Sequence, residues 1–335
     1  MSFDRRRFVS SAGLSALGLT ILNSAPALSA GTSTAYAAGS ASVAGGATGY
    51  RYCLNTSTIR EPQLGIEKEV EIASQAGYNA IEPWIPTLRE FVKQGGSLVD
   101  LSKKISDAGL TVESAIGFAH WIVDDDKRRL DALEEAKRDM DMVREIGGIR
   151  IAAPPVGAHD SKSEKIELAL VAERFRALLE VGDQAGVVPQ LEVWGFSKNL
   201  SRLGEVMYVL GEVRHPKACA LLDIYHLYKG GSDFAGLRLL SGNAMQVFHV
   251  NDYPAMPERD KIGDADRVYP GDGIAPMSQI LNDIGGSGRN IVLSLELFNR
   301  EYWKQDPLEV AKTGLAKMKA SVEAAMAERA AAEKA

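Results

Sequence analysis

The chain has 335 residues and a formal net charge of −6 at pH 7. Residues 1–37 contain three arginines and one aspartate, so the rest of the chain carries a net charge of −8. An acidic surface argues against nucleic acid and anionic membranes as partners, because both repel negative charge. No stretch beyond residue 22 approaches the ~20 apolar residues that a membrane-spanning helix requires.

The first residues have the pattern of an export signal. A twin-arginine motif occupies Asp4–Val9, a short apolar core spans Val9–Leu22, and small-residue cleavage candidates follow at Ala25–Ala27 and Ala35–Ala37. Such a signal is read by the twin-arginine export machinery. We therefore predict a periplasmic protein, with an uncleaved membrane anchor as the alternative.

We divide the chain into a signal peptide at 1–37, a flexible leader at 38–49 and one domain at 50–335, since the leader is rich in Gly, Ala, Ser and Thr. The two cysteines, Cys53 and Cys219, each lie within an apolar run. This position predicts core residues rather than a disulfide or a redox pair. Twin-arginine export carries proteins that folded in the reducing cytoplasm, so a disulfide framework is not expected.

From Tyr50 onward, short apolar runs typical of buried strands alternate with amphipathic segments typical of helices. The predicted strands are 51–55, 80–82, 111–117, 149–153, 188–193, 218–223, 246–250 and 291–297. The predicted helices are 64–76, 98–108, 124–146, 163–185, 200–213, 234–240, 276–284 and 307–335. Eight such units predict an α/β fold, a single (β/α)8 TIM barrel. A doubly wound open sheet is the alternative, but no Gly-x-Gly-x-x-Gly turn follows the first strand.

In a TIM barrel, the active site lies at the carboxyl ends of the strands. Four consecutive predicted strands, the fifth to the eighth, each end in one ionisable residue among apolar neighbours: Glu192, Asp223, His249 and Glu296. Burying four such groups is costly unless a cation lies among them. Three carboxylates and one imidazole favour Mn²⁺ or Mg²⁺ and tolerate Co²⁺ or Zn²⁺. The alternative is four separate polar residues that are each satisfied by hydrogen bonds.

Five segments resemble, in the same order, the xylose-isomerase-like TIM-barrel superfamily of sugar isomerases and epimerases: QLEVWG, LLDIYH, FHVND, DADRVYPGDG and LSLELFNREYW. The resemblance covers most of residues 50–320 and is greatest to the 2-keto-myo-inositol isomerases. Carried over residue by residue, it implies one divalent metal ion, Mn²⁺ before the others, held by Glu192, Asp223, His249 and Glu296. It also implies that Glu192 and Glu296 are the catalytic carboxylates. Relatives often form dimers or tetramers, so a homo-oligomer is compatible with the resemblance.

The chemistry that suits such a site is proton transfer next to a carbonyl group, through an enediolate. The expected reaction is isomerisation or epimerisation of a keto-sugar or keto-cyclitol. We expect an unphosphorylated substrate, because no Arg or Lys clamp follows strands seven and eight. The acid in the turn Gly271–Gly273 would also repel phosphate.

Several residues at the same end of the barrel are candidates for substrate binding. His226 resembles a family histidine that hydrogen-bonds substrate oxygens, with capping of a loop as its alternative. Arg267 is predicted to hold a substrate oxygen, or else to pair with Asp264 or Asp266. Tryptophans follow four of the predicted strands and could pack against a sugar ring or against the barrel rim: Trp84, Trp121, Trp194 and Trp303. Weaker candidates are His120 and Glu82, whereas His159 and His215 have no predicted chemical role.

Three other functions fit part of this pattern. A lyase or dehydratase acting on an inosose or a 3-keto-glycoside would share the proton-abstraction step. An AP-endonuclease-like phosphodiesterase would share the barrel, but it needs more metal ligands and a basic surface, and the net charge argues against it. A non-catalytic sugar-binding protein would bind no metal and would tolerate Glu192→Gln and Glu296→Gln.

Overall fold

The computed structural model of the chain describes residues 49–60, 63–240, 242–285 and 290–334. The predicted signal peptide at 1–37 and all of the predicted leader except Gly49 lie outside the described residues. In the part of the chain that the structure describes, no helix combines the length and apolar character needed to cross a membrane.

The described residues form eight parallel strands: β1 Tyr50–Asn55, β2 Ala80–Glu82, β3 Thr111–Val112, β4 Arg150–Ala153, β5 Val188–Glu192, β6 Ala220–Asp223, β7 Val247–Val250 and β8 Ile291–Leu295. Hydrogen-bonded neighbours follow the order β3-β2-β1-β8-β7-β6-β5-β4. The two end strands meet through Ala115, whose N–H donates to the carbonyl of Arg150 (3.1 Å) and whose carbonyl accepts from the N–H of Ala152 (2.8 Å). The sheet therefore curls round on itself, and the predicted (β/α)8 barrel is confirmed.

The α-helices lie between the strands and after the last one: α1 Ile66–Ala76, α2 Ile85–Lys93, α3 Leu98–Asp107, α4 Asp126–Glu145, α5 Leu168–Ala185, α6 Leu203–Glu212, α7 Ile224–Gly230, α8 Met277–Gly285 and α9 Pro307–Ala332. Two of them were not predicted. α2 has Pro86 in its first turn, where a missing N–H costs nothing. α7 starts directly after Asp223, whose carboxylate accepts a hydrogen bond from the N–H of His226 (2.6 Å) and caps the helix.

Two predicted elements differ from the structure. The predicted helix at 234–240 is a 3-10 helix, Phe234–Leu239, with Asp233 as its cap. The predicted third strand, 111–117, ends at Val112, although Ala115 still hydrogen-bonds to β4 and Ile116 still pairs with Trp84, just after β2. Both cysteines are buried and free, as predicted.

The alternation of side chains along each strand explains which residues face the barrel interior. A small apolar cluster fills that interior: Cys53, Ala80, Ile116, Ala152, Leu221, Val247 and Val292. Because side chains repeat every two residues on one face of a strand, the residues two positions later point the same way. These include Asn55, Glu82, Asp223, His249 and Ser294, and Glu296 follows Ser294. The strand ends therefore direct polar groups into one space above an apolar floor.

Candidate functional site

Three of the four predicted metal ligands lie together at the carboxyl ends of the strands. Asp223 and His249 are register partners on β6 and β7, and Glu296 follows β8. One donor atom from each lies within 4.8 Å of the other two, and all three residues are buried. The predicted grouping of Asp223, His249 and Glu296 is thus what the fold produces.

His249 offers one ring nitrogen to this cluster and uses the other for support. Nε2 lies 3.0 Å from Glu82 Oε2, so Nε2 carries the proton in this hydrogen bond. Nδ1 lies 3.2 Å from Glu296 Oε2 and 4.0 Å from Asp223 Oδ2 but makes no well-aligned hydrogen bond with either. Burial alone would lower the pKa of His249, but the carboxylates of Glu296 and Glu82 raise it well above its ordinary value.

Glu192, the fourth predicted ligand, is buried at the end of β5, outside the close group of three. Its Oε1 accepts a hydrogen bond from Trp194 Nε1 (3.0 Å), and its Oε2 has no hydrogen-bond partner among the residues that the structure describes. Burial raises the pKa of Glu192 to about 8, against the lowering effect of His249. Glu296 is shifted in the opposite direction: burial would raise its pKa, but His249 and Arg267 hold it below the ordinary range of a carboxyl group.

Arg267 is 1% exposed and spans the site from the long loop after β7. Its Nη1 donates to Asp223 Oδ2 (3.1 Å) and to Glu296 Oε2 (2.8 Å), and its Nη2 donates to Asp264 (2.5 Å). The guanidinium also lies over the ring of Tyr225, 4.4 Å from its centroid. The predicted pairing of Arg267 with Asp264 is therefore present, and the same guanidinium also reaches the carboxylate cluster. Its binding of a substrate oxygen stays a prediction.

His226 has a tautomer set by its neighbours. Arg267 Nη2 can only donate a hydrogen bond, so His226 Nε2, 3.1 Å away, accepts it and the ring proton lies on Nδ1. Nδ1 is buried and has no partner in the described residues. Burial lowers the pKa of His226 below its ordinary value, which keeps the ring neutral. The side chain therefore presents one unused N–H donor.

Arg267 lies on the loop from Asn251 to Ala275. Asp252 connects the two ends of this loop through hydrogen bonds. The carboxylate of Asp252 accepts hydrogen bonds from the N–H groups of Tyr253 (2.7 Å), Gly271 (3.1 Å), Gly273 (3.0 Å) and Ala275 (3.0 Å). A side chain at Gly273 would collide with this carboxylate, which accounts for the glycine in the turn. The Asp252 backbone also pairs with that of Val268 through two hydrogen bonds of 2.9 Å, directly beside Arg267.

The structure separates the four predicted tryptophans. Trp121 is fully buried, packs against Phe175 and donates to the carbonyl of Pro154 (2.8 Å), so it belongs to the core and its ring does not face the site. Trp303 is partly buried and donates to the carbonyl of Ser57 (2.9 Å). Trp84 and Trp194 are also partly buried, and each is tied to the polar cluster. Their indole N–H groups donate to Asn55 (2.8 Å) and to Glu192 (3.0 Å), respectively.

Further rings join Trp84 and Trp194 into what we call the aromatic belt, formed by Trp84, Phe118, Trp194 and Phe196. Successive ring centroids are 5.2, 6.5 and 5.3 Å apart. Phe196, the last of them, is 44% exposed and lies 5.6 Å from the ring of His226. His159, which had no predicted role, stacks edge-on against Trp194 at 5.4 Å.

Sequence reasoning missed the importance of Asn55 and gave Glu82 little weight. Both are fully buried, and both hydrogen-bond to members of the cluster. Glu82 ends β2 among apolar residues, the same signal that singled out the other four strand ends. His120, the other weak candidate, is partly buried and its Nδ1 lies 3.2 Å from Arg128 Nη2.

A family model described as xylose isomerase-like TIM barrel matches residues 70–321. The chain belongs to this family. An inosose isomerase of Bacillus velezensis is 26% identical over 269 residues, which cover 78% of this chain and 94% of that protein. A 3-dehydroshikimate dehydratase of Pseudomonas putida is 21% identical over 252 residues, covering 75% of this chain and 39% of that protein.

Solved structures agree on the fold. A structure of the IOLI protein with a bound zinc atom has a TM-score of 0.73 at 23% identity and covers 81% of this chain and 98% of its own. A structure of an L-ribulose 3-epimerase has a TM-score of 0.67 at 18% identity, and the match covers 84% of this chain and 98% of the epimerase.

A divalent cation fits the donor set that the strand ends provide. Two buried atoms, His249 Nδ1 and Glu192 Oε2, have no hydrogen-bond partner in the described residues. The carboxylates around His249 raise the pKa of its ring well above the ordinary value, so the space beside this ring favours positive charge. A metal ion that replaced the ring proton would find an imidazole nitrogen and carboxylate oxygens already buried and adjacent.

Proposed function

We propose that this protein is a divalent-metal-dependent isomerase or epimerase of an unphosphorylated keto-sugar or keto-cyclitol. The observation that carries the proposal is the convergence of Asp223, His249 and Glu296 at one end of the barrel, with Glu192 buried nearby. The family membership and the relatives that are named inosose isomerase support the same reaction class.

Glu192, Asp223, His249 and Glu296 would hold the metal ion. When bound, a divalent metal supplies Lewis-acid stabilisation of negative charge that develops on substrate oxygens. The donor set favours Mn²⁺, with Mg²⁺, Co²⁺ or Zn²⁺ as the other candidates. Elemental analysis of the purified protein identifies the metal directly.

The carboxylates of Glu192 and Glu296 carry out the proton transfer in this proposal. One removes a proton from the carbon next to the substrate carbonyl, and the other returns a proton to the neighbouring carbon or to the opposite face of the same carbon. His226 donates from Nδ1 to a substrate oxygen, and Arg267 orients the substrate from the side of Asp223 and Glu296. Each positioned general base contributes about 10²–10⁴ in rate.

Trp84, Trp194 and Trp303 form the proposed apolar contact with the substrate ring, because all three are partly exposed and the first two are tied to the polar cluster. Trp121 has no part in this contact, since it is fully buried in the core.

Product analysis tests the proposed reaction. The metal-loaded protein is incubated with keto-inositols, free ketoses and 3-keto-glycosides, and the products are identified by NMR. Formation of an isomer or epimer supports the proposal. Turnover of sugar phosphates but not of the free sugars would contradict the unphosphorylated substrate class, and no turnover of any candidate would contradict the reaction.

A dehydratase or lyase is the second candidate, favoured by the match to a 3-dehydroshikimate dehydratase. Abstraction of the same proton would be followed by loss of a β-substituent instead of reprotonation. Release of water or of an aglycone, with an unsaturated ketone as the product, would select this candidate over an isomerase.

We also propose export through the twin-arginine machinery to the periplasm, on the basis of the motif at Asp4–Val9. Replacement of Arg5 and Arg6 by Lys is expected to retain the full-length precursor in the cytoplasmic fraction, with Arg7→Lys as the matched control. Normal export of the double variant would contradict this route.

A further inference from the structure

Glu82 contacts His249 through Nε2, the ring nitrogen that does not approach Asp223 and Glu296. It is fully buried, and its Oε2 accepts hydrogen bonds from His249 Nε2 (3.0 Å), Asn55 Nδ2 (3.0 Å) and Ser294 Oγ (2.7 Å). Three donors converge on one oxygen, whereas Oε1 of the same carboxylate has no partner in the described residues. This uneven arrangement fixes the position of Oε2.

The contact from His249 decides which ring nitrogen is free. Glu82 Oε2 already accepts hydrogen bonds from Asn55 and Ser294. Because a carboxylate oxygen can only accept, the imidazole must donate to it, and the proton stays on Nε2. In the singly protonated ring, the lone pair of Nδ1 is then directed towards Glu296 Oε2 and Asp223 Oδ2, at 3.2 and 4.0 Å. If the proton moved to Nδ1, the ring would present a donor where a ligand atom is required.

Asn55 connects Glu82 to a second member of the cluster. Its Nδ2 donates both to Glu82 Oε2 (3.0 Å) and to Glu296 Oε1 (3.1 Å). The amide cannot be reversed without conflict, because its Oδ1 accepts from Trp84 Nε1 (2.8 Å) and from the N–H of Ser57 (3.0 Å). Asn55 therefore holds Glu82 and Glu296 at a set separation and transmits the position of one carboxylate to the other.

We propose that Glu82 is a positioning residue that fixes the tautomer and orientation of His249 so that Nδ1 serves as the metal ligand. The inference rests on the proposed metal site and adds a residue that acts on the metal through His249. Hydrogen bonds from a ligating imidazole to a carboxylate fix ring orientation and raise ligand basicity, and their removal costs about 10–100-fold in metal affinity.

Zn²⁺ binding to the full chain, measured by calorimetry without substrate, tests this inference. Glu82→Leu is expected to weaken Zn²⁺ binding by about 10–100-fold. Glu82→Gln keeps an acceptor oxygen for His249 but removes the negative charge, so Zn²⁺ binding is expected to weaken by a smaller but still measurable factor. Asp139→Asn is the matched control, because Asp139 on α4 is also a buried acid but is paired with Arg89 on α2 (2.6 Å). This control is expected to keep wild-type Zn²⁺ affinity.

A second readout reports the tautomer itself. In the Zn²⁺-loaded protein with ¹⁵N-labelled histidine, the His249 ring is expected to show a slowly exchanging Nε2–H signal and a metal-bound Nδ1. Glu82→Leu is expected to accelerate exchange of that proton. Wild-type Zn²⁺ affinity together with an unchanged ring signal in the Leu variant would overturn the role of Glu82 alone. If the Leu variant does not fold, wild-type affinity in the Gln variant has the same meaning. A wild-type chain that binds no Zn²⁺ would overturn both the metal site and this inference.

Discussion

Arg267 and Glu296 form a buried ion pair in which Nη1 lies 2.8 Å from Oε2, the same oxygen that lies 3.2 Å from His249 Nδ1. The guanidinium and the predicted metal ligand therefore share one carboxylate oxygen. Arg267 is in turn held by Asp264 and by the ring of Tyr225. An arginine so placed neutralises part of the acidic cluster and, in the proposed mechanism, borders the space for a substrate oxygen.

Arg267→Met is expected to reduce kcat/KM by about 10–100-fold, because charge-assisted hydrogen bonds contribute about 1.5–3 kcal/mol. Zn²⁺ affinity is expected to be kept or increased, since the substitution removes a cation that competes for Asp223 and Glu296. Steady-state kinetics and calorimetry on the same preparations separate the two effects. Arg259→Met, an exposed arginine of the same loop, is the control. Wild-type kinetics in the Arg267 variant would exclude a role in substrate binding.

Phe196 ends the aromatic belt at the protein surface, and its ring is expected to contact a substituent on the substrate ring. Phe196→Ala is expected to raise KM for an aryl 3-keto-glycoside by about 2–10-fold, since aromatic pairs contribute about 0.5–1.5 kcal/mol. KM for an unsubstituted keto-inositol should change little. Tyr208→Ala, an equally exposed aromatic on α6, is the control. Equal changes in KM for both substrates would show that Phe196 packs against the barrel rim and does not contact a substituent.

The buried carboxyl group of Glu69 is expected to make the stability of the fold depend on pH, independently of the proposed metal site. Burial raises its pKa from 4.5 to about 7, with Thr56 and Arg60 opposing the shift. The folded state therefore keeps a proton that the unfolded state loses, so the free energy of unfolding falls between about pH 4.5 and 7 and then levels off. Glu69→Gln removes this penalty.

We expect the Gln variant to match wild type near pH 4.5 and to exceed it by up to about 3 kcal/mol at pH 8. Urea unfolding at both pH values measures the difference, with the exposed Glu67→Gln of the same helix as control. If the free energies of unfolding of wild type and variant differ by the same amount at both pH values, the raised pKa of Glu69 is contradicted.

The barrel and the grouping of three of the four candidate ligands could be predicted because they follow from local rules. Alternation along parallel strands places Asp223, His249 and Glu296 at one end of the interior, and periodic apolar residues mark the strands themselves. The N-terminal cap at Asp223 was not foreseen, because one carboxylate serves both as helix cap and as a member of the cluster.

The side-chain contacts between residues far apart in the sequence could not be predicted. The pairing of Glu82 with His249 joins residues 167 positions apart, and no periodicity encodes it. The exclusion of Trp121 from the site depends on its burial against Phe175 on α5, a packing relation that its position after a strand does not reveal. Sequence reasoning therefore located the site and left its supporting network to the structure.

Solvent exchange tests the central claim, which is proton transfer by Glu192 and Glu296. The metal-loaded protein is incubated in D₂O with keto-inositols, ketoses and 3-keto-glycosides, and C–H exchange next to the carbonyl is followed by NMR. We expect deuterium to enter at that carbon in the accepted substrate, and Glu192→Gln and Glu296→Gln each to slow its entry by about 10²–10⁴. No exchange in any candidate, or undiminished exchange in both variants, would contradict the mechanism.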